Sequence, residues 1–202
     1  MKKISFLFIT ILISACAIDA TKKENLEETK LISSISDKYV GIELKNSYKW
    51  LGIPYAEPPQ GSLRWKAPRA LSKQKEKVKA VKFSDACPQV PSISLDRGGN
   101  GEYTGSEDCL YLNIFTPKKI SSDKKLPVMF WIHGGGNTSG EAASYDFSKL
   151  ASAHDLVIVS INYRLGFLGW FYHPAFAATS NNLEDKSGNF GTLDQIMALK
   201  WV

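Results

Sequence analysis

Three consecutive glycines stand about two thirds of the way along the chain, in His133-Gly134-Gly135-Gly136, directly after an apolar segment. Glycine has no Cβ atom, so its backbone adopts conformations closed to other residues and approaches a bound molecule closely. Backbone N–H groups presented in this way stabilise an oxygen on which negative charge develops, as in the tetrahedral intermediate of acyl transfer. A plain turn is the alternative, because glycine clusters often follow strands without binding anything.

No nucleophile accompanies these glycines. Nucleophilic serines often occupy a G-x-S-x-G turn between a strand and a helix, and this sequence contains no such pattern. The nearest imitation, Gly136-Asn137-Thr138-Ser139-Gly140, has its serine one place too late, so Ser139 is not expected to be a nucleophile. His154 and His173 have no partner pattern and are expected to be surface or packing residues. The spacing of the histidines and cysteines predicts no metal site.

The segments around the glycines have the hydrophobic patterns of an α/β sheet. Residues 110–115, 126–132 and 156–161 are predicted strands, whose apolar runs are typical of parallel core strands covered on both faces. Residues 145–154 have helical spacing, which gives the order strand, helix, strand. Residues 192–202 are predicted to form an amphipathic helix. The glycines therefore follow the end of a predicted core strand.

The first half of the chain is less regular. Short β-type segments are predicted at 39–44 and 48–53, after which prolines 54, 58 and 59 exclude regular structure. The composition, 44% hydrophobic and 22% charged, is that of a globular domain with a real core. The formal net charge of +5 comes from lysines scattered among acidic residues, so no nucleic-acid partner is expected.

The beginning of the chain has the pattern of an export signal. Met1-Lys2-Lys3 is basic, residues 4–13 are largely apolar, and Ser14-Ala15-Cys16 follows with small side chains. The apolar run is too short to span a bilayer, which takes about 20 residues. Ile13-Ser14-Ala15-Cys16 resembles the bacterial lipobox, in which the cysteine is lipidated and becomes the first residue of the mature protein.

We therefore predict a lipoprotein signal peptide at residues 1–15, lipidation of Cys16 and a polar tether at 16–33. The protein would be exported and held at a membrane of the bacterial cell envelope by its N-terminal lipid anchor. The alternative is an ordinary signal peptide that contains a cysteine, with a secreted or periplasmic product.

Lipidation of Cys16 would leave two further cysteines, Cys87 and Cys109, in an oxidising compartment. We predict that these two form a disulfide. Closing a loop of this size stabilises a fold by roughly 3 kcal/mol in the chain-entropy description. Two free buried thiols are the alternative.

Several segments, in the same order, resemble the type-B carboxylesterase and cholinesterase family from about residue 36 to the end. They are Leu51-Gly52-Ile53-Pro54-Tyr55-Ala56-Glu57, Leu63-Arg64-Trp65, Ser106-Glu107-Asp108-Cys109-Leu110, Trp131-Ile132-His133-Gly134-Gly135-Gly136, Asn162-Tyr163-Arg164-Leu165-Gly166 and Gly188-Asn189-Phe190-Gly191. The resemblance implies that residues 34–202 are the N-terminal portion of an α/β-hydrolase fold, with a central, mostly parallel sheet and flanking helices. The portion would be incomplete, because the family's catalytic serine, acid and histidine have no counterpart in this chain.

The resemblance also assigns roles to single residues. Gly135 and Gly136 match the backbone donors of the family's oxyanion hole, and a third N–H is expected from the residue after the missing serine. His133 matches a residue that shapes the loop and does not transfer protons. Asn137 departs from the family, which usually has an aromatic or small residue there, so the shape of the local pocket is expected to differ.

Four charged residues match structural ion pairs of the family. The resemblance pairs Arg64 with Glu107 and Arg164 with Asp194. Removing one partner of a buried pair typically costs roughly 3 to 5 kcal/mol. These positions are thus expected to matter for stability and not for catalysis.

The function expected from the resemblance is hydrolysis of a small-molecule carboxylic ester by a serine nucleophile, without a cofactor. This chain alone would hold the oxyanion-hole half and would be inactive, with apolar edges left exposed. The alternatives are a catalytically inactive cholinesterase-like binding module, because fold alone does not fix function, and a truncated, non-functional product.

Overall fold

The computed structural model describes residues 39–72, 77–90, 102–119 and 125–202. The strands are β1 Tyr39–Val40, β2 Ile42–Glu43, β3 Ser47–Pro54, β4 Val78–Lys79, β5 Tyr111–Pro117, β6 Val128–Ile132 and β7 Val157–Ile161. The α-helices are α1 Ser148–His154, α2 Gly166–Gly169, α3 Pro174–Ala178 and α4 Phe190–Trp201, and single 3-10 turns lie at Gly61–Leu63, Ala142–Ser144 and Glu184–Lys186. The predicted signal peptide, Cys16 and the tether lie outside the described residues.

Five of these strands form one mixed sheet in the order β2-β3-β5-β7-β6. The pairs β2–β3, β3–β5 and β5–β7 are antiparallel, and β6–β7 is parallel. The expectation that all three apolar segments run parallel was therefore wrong for β5. Parallel neighbours need a long crossover, and here α1 supplies one between β6 and β7. β1 and β4 form a separate parallel pair.

Side chains along a strand point alternately to the two faces of the sheet. Both faces of this sheet are covered by packed residues. On one face, Leu112 of β5 and Ile161 of β7 lie in a fully buried cluster against which Trp201 of α4 packs. On the other face, Phe115 and Ile158 pack against Ala151 of α1. The strand, helix, strand order predicted from the sequence thus forms a sheet between helices.

The apolar sequence of β6 predicted a core strand covered on both faces, but β6 is partly exposed. It is the last strand of the described sheet, and Val128 and Ile132 remain 52% and 42% exposed. Leu199 of α4 is 57% exposed as well. The described part of the chain therefore presents an apolar sheet edge and an apolar helix surface.

Two helices begin at other residues than predicted. α1 begins at Ser148 and not at residue 145, because Tyr145 has an extended backbone and packs edge-to-face on Trp131 of β6. α4 begins at Phe190, so that Gly191 lies in its first turn. A Cβ atom at Gly191 would overlap Trp170, and only glycine allows the helix to start there.

None of the helices in the described ranges has the length and apolar character that crossing a membrane requires.

Candidate functional site

The candidate site is the loop of residues 133–140, which leaves the carboxyl end of β6 and is named the oxyanion loop after the role predicted for it. Its backbone has positive φ at Gly135 (120°), Gly136 (60°), Asn137 (60°) and Gly140 (114°). A Cβ atom at Gly135 would overlap the carbonyl oxygen of Ser139. The glycines are therefore required by the tight path of the loop, and Asn137 is one of the few other residue types that tolerate this conformation.

Two carbonyl groups of the loop form hydrogen bonds with other residues of the same loop. The Gly134 carbonyl lies 2.9 Å from Nδ1 of His133. The Gly135 carbonyl accepts hydrogen bonds from the N–H groups of Thr138 and Ser139 at 3.1 and 3.2 Å and from the Thr138 hydroxyl at 3.0 Å. Both peptide groups are consequently fixed in orientation.

The N–H groups of Gly135 and Gly136 face the other way. In a trans peptide the N–H is opposite to the preceding carbonyl, so the bonds made by the Gly134 and Gly135 carbonyls turn these two N–H groups outward. Both glycines are exposed, and neither N–H has a hydrogen-bond partner among the described residues. Two neighbouring donors are thus available to an oxygen atom outside the loop.

His133 supports this arrangement from the interior. Its ring is stacked on Tyr163 at 4.5 Å, and the Tyr163 hydroxyl donates to the His133 carbonyl at 2.7 Å. Because the Gly134 carbonyl only accepts, Nδ1 of His133 must carry the proton. Nε2 is buried without a partner in the described structure, and burial lowers the pKa of His133. The ring is therefore neutral and positions the loop.

Other histidines and Ser139 have local structural roles. Nδ1 of His173 caps α3 by accepting from the Ala175 N–H at 3.2 Å, and His154 lies in the last turn of α1. Ser139 is buried on the inner side of the loop. In the part of the chain that the structure describes, no group of three or more His, Cys, Asp and Glu side chains could hold a metal ion.

Both cysteines are buried, as are Arg164 and Asp194 of the predicted ion pairs, and Glu107 is partly buried. Cys87 and Cys109 are joined in a buried disulfide with Cα atoms 5.1 Å apart. Asp194 is fully buried and accepts hydrogen bonds of 2.8 and 2.7 Å from Nε and Nη2 of Arg164. Burial raises the pKa of Asp194, and the Arg164 guanidinium opposes that rise.

The Arg64–Glu107 pair is different from a buried pair. Its two hydrogen bonds are 2.6 and 2.5 Å long, but the Arg64 side chain is 41% exposed because it follows the surface turn Gly61–Leu63. A third pair was missed by the sequence analysis: Asp185, which is 5% exposed, binds Nη2 of Arg69 through both carboxylate oxygens. No motif marks this pair.

Polar side chains that fix the ends of the loop were also missed. Oδ1 of Asn162 accepts from the Ala142 N–H at 2.7 Å, directly after the loop. The side-chain amide of Gln89 bonds with Gly140. Single amide side chains in irregular segments form no periodic pattern, so only the resemblance of Asn162-Tyr163 to a family motif hinted at one of them.

Comparison with known proteins agrees with these features. The model of the carboxylesterase family matches residues 29–202. The chain is 40% identical to the para-nitrobenzyl esterase of Bacillus subtilis over 175 residues, which is 86% of this chain and 34% of that protein. It is 35% identical to liver carboxylesterase 1F of Rattus norvegicus over 210 residues, which is 98% of this chain and 36% of the relative.

Solved structures give the same result. A structure of a PNB esterase superposes with a TM-score of 0.69 at 40% identity, over 81% of this chain and 32% of that one. A carboxylesterase of Geobacillus stearothermophilus superposes with a TM-score of 0.65 at 34% identity, over the same shares. The chain thus has the α/β-hydrolase fold and spans about a third of the length of these proteins. Since the family match takes in the sheet, the oxyanion loop and α4, the chain belongs to the carboxylesterase family.

Proposed function

We propose that this chain supplies the oxyanion-hole half of a carboxylic ester hydrolase that acts through a serine nucleophile. The observation that carries the proposal is the pair of N–H groups of Gly135 and Gly136, which face outward and have no hydrogen-bond partner among the described residues. The Gly134 and Gly135 carbonyls are fixed by hydrogen bonds within the loop. Donors that are fixed before the reaction need no reorganisation when charge develops on the substrate oxygen.

The chemistry assigned to the chain is electrostatic. When a serine oxygen attacks the ester carbonyl carbon, the carbonyl oxygen becomes negative, and the two N–H groups donate to it. Removing one such donor costs about 10²- to 10³-fold in kcat in serine hydrolases. The serine, its histidine base and the acid have no counterpart in residues 1–202, and the residue after the serine would add a third N–H.

The substrate class is a small-molecule carboxylic ester, and no cofactor is required by this mechanism. The Bacillus subtilis relative is a para-nitrobenzyl esterase by name, which supports an ester as the substrate class. On this proposal, residues 1–202 alone do not hydrolyse esters, because donors without a nucleophile and a base cannot start acyl transfer.

The test joins the chain to the missing groups. Residues 39–202 are grafted in place of the matching segment of the Bacillus subtilis para-nitrobenzyl esterase, and hydrolysis of p-nitrophenyl acetate is measured for the graft and for residues 1–202. Activity of the graft alone supports the proposal. A folded but inactive graft favours the inactive binding module, whereas activity of 1–202 that is lost on mutation of one of its own serines refutes the assignment of roles.

The DNA that follows codon 202 distinguishes the remaining alternative. An in-frame G-x-S-x-G shortly after Trp201-Val202 would supply the nucleophile in the same polypeptide. A stop codon or frameshift there would favour the truncated, non-functional product.

We also propose that the protein is exported and anchored by lipid at Cys16. The support is the basic start, the apolar run and the small residues before Cys16. More than one acyl chain holds a protein at a membrane stably, where a single chain does not. Mass spectrometry of the mature protein should find a diacylated or triacylated Cys16 at its N-terminus, and any other N-terminal residue would refute the anchor.

A further inference from the structure

The side chain of Gln89 lies between the disulfide and the oxyanion loop. Its residue is 8% exposed, and its amide uses both of its polar atoms. Nε2 donates to the carbonyls of Cys87 at 3.1 Å and Gly140 at 2.8 Å, and Oε1 accepts from the Gly140 N–H at 2.7 Å. The amide of Gln89 thus pairs with the backbone of Gly140 on both sides, as a neighbouring strand would.

Gln89 is itself held by the disulfide-linked segment. Its backbone exchanges two hydrogen bonds with Thr104, at 3.0 and 2.9 Å. Cys87, two residues before it, is bonded to Cys109. The side chain therefore projects from a cross-linked and paired backbone.

Gly140, in turn, closes the oxyanion loop on itself. A Cβ atom added at Gly140 would overlap the Gly134 carbonyl oxygen and the His133 ring. The backbone of Gly140 is therefore packed against the peptide group that carries the Gly135 N–H. A shift of Gly140 would move that peptide group, and with it the proposed donor.

We propose that Gln89 is a positioning residue of the oxyanion hole, which fixes the direction of the Gly135 and Gly136 N–H groups and links them to the Cys87–Cys109 disulfide. It acts through Gly140 and touches neither substrate nor reacting atoms. The role assigned to these donors rests on the proposed function. The mechanical link from Gln89 to the loop does not, and it is tested separately.

The test measures amide hydrogen exchange in the 202-residue chain, resolved to single residues by mass spectrometry. In Q89L, whose side chain has neither donor nor acceptor, exchange should be about tenfold faster at Gly140 and also at Thr138 and Ser139, whose N–H groups donate to the Gly135 carbonyl and not to Gln89. Exchange in β7 should stay unchanged. Q89E keeps the acceptor for the Gly140 N–H and should restore part of the protection.

Asn113 provides a matched control. Asn113 is 3% exposed; its side-chain amide accepts from the Gly52 N–H at 2.9 Å and donates to Ser160 at 3.2 Å, and neither hydrogen bond involves the loop. N113L should leave exchange in residues 133–140 as in the wild type. Faster exchange at Gly140 alone in Q89L would overturn the proposal, because Gln89 would then hold only its own partner. Equal effects of N113L and Q89L would also overturn it.

The link to the disulfide is tested by a double-mutant cycle. C87A/C109A should speed exchange at Thr138 and Ser139 while Gln89 is present, and should add little in Q89L. Additive effects would refute the link.

The same substitutions in the grafted esterase give a second readout that does not depend on how well residues 1–202 fold alone. Q89L should lower kcat about tenfold with little change in KM, because the loop acts in the transition state, and Q89E should recover part of the loss. An inactive graft would count against the proposed function and leave the exchange result intact. An active graft with wild-type kcat in Q89L would overturn the positioning role.

Discussion

At the scale of single residues, the buried Arg164–Asp194 pair and the exposed Arg64–Glu107 pair have different consequences. Asp194 is fully buried, and Arg164 donates to both of its carboxylate oxygens. A buried carboxylate that loses its guanidinium keeps the cost of desolvation without its compensation. In both pairs Nε and Nη2 of the arginine donate to the two carboxylate oxygens, but Asp194 also accepts from the Arg164 backbone N–H at 3.1 Å, and only the Arg164–Asp194 pair is buried.

We predict that R164L lowers the free energy of unfolding by about 3 to 5 kcal/mol. R64L, which breaks the exposed pair, should have a much smaller effect and serves as the control. In R164L/D194L the loss should be smaller than in R164L, because no unpaired charge remains buried. Urea unfolding followed by circular dichroism measures all three, and equal effects of R164L and R64L would contradict the assignment.

His133 makes stability depend on pH. Burial lowers its pKa below the value of about 6.5 for an unfolded chain, so the unfolded chain binds a proton near this pH that the folded chain does not. Stability that His133 allows at neutral pH is therefore lost as the pH falls below about 6.5.

The variant H133N tests this dependence. Its amide offers a donor near the position of Nδ1 for the Gly134 carbonyl but does not titrate. Between pH 7 and about pH 5, the wild type should lose more unfolding free energy than H133N. Parallel curves in urea titrations over this range would show that His133 does not contribute.

At the scale of elements, β6 combines two features. Its carboxyl end carries the oxyanion loop, and its outer edge is apolar and partly exposed. Unpaired edges of this kind promote pairing between chains, and a lysine on the edge suppresses it. In the described sheet β6 pairs with β7 on one side, and its other edge has no neighbouring strand.

V128K should therefore raise the monomeric share of residues 1–202 in size-exclusion chromatography. Val128 is 52% exposed, whereas Val159 on β7 is 2% exposed. The control V159K should unfold the chain, since a charge would enter the core. If V128K associates as much as the wild type does, the β6 edge is not the surface that drives association.

The sequence predicted the elements better than their pairing. The strands β5, β6 and β7 and the helix between the last two were predicted from apolar runs and helical spacing, because these patterns are local. The antiparallel direction of β5 was not, since an apolar run is the same in either direction. The start of α1 was also misplaced, because Tyr145 packs on Trp131 of β6, a contact that local spacing does not encode.

The candidate site was found by its glycines, whose clustering after a strand is a local signal. Its supports were not found in the same way. Gln89 reaches the loop, and Asn162 reaches Ala142 just beyond it, through single amide groups from segments distant in sequence, and such contacts become visible only in three dimensions.

At the scale of the whole molecule, the chain belongs to the carboxylesterase family, spans about a third of the length of the relatives it matches, and contains the loop of residues 133–140 in a formed conformation. The supports of the loop, His133, Tyr163 and Gln89, are all within the chain. On the proposed function, a preformed loop needs a nucleophile, a base, an acid and the third N–H donor to be brought to it in the right position. The graft is therefore expected to restore activity.

The most direct test of the central claim compares glycines of the loop in the grafted esterase. G135A keeps the N–H group, but its Cβ atom would overlap the Ser139 carbonyl oxygen, so the loop must shift and the donor is displaced. The substitution should therefore lower kcat for p-nitrophenyl acetate by about 10²- to 10³-fold with little change in KM, because an oxyanion donor acts mainly in the transition state. G134A is the matched control, since a Cβ atom there meets nothing within 4 Å. Circular dichroism verifies that each variant is folded. Loss of kcat in G135A with near-parental activity in G134A is the predicted result, whereas a folded G135A with undiminished kcat would contradict the account.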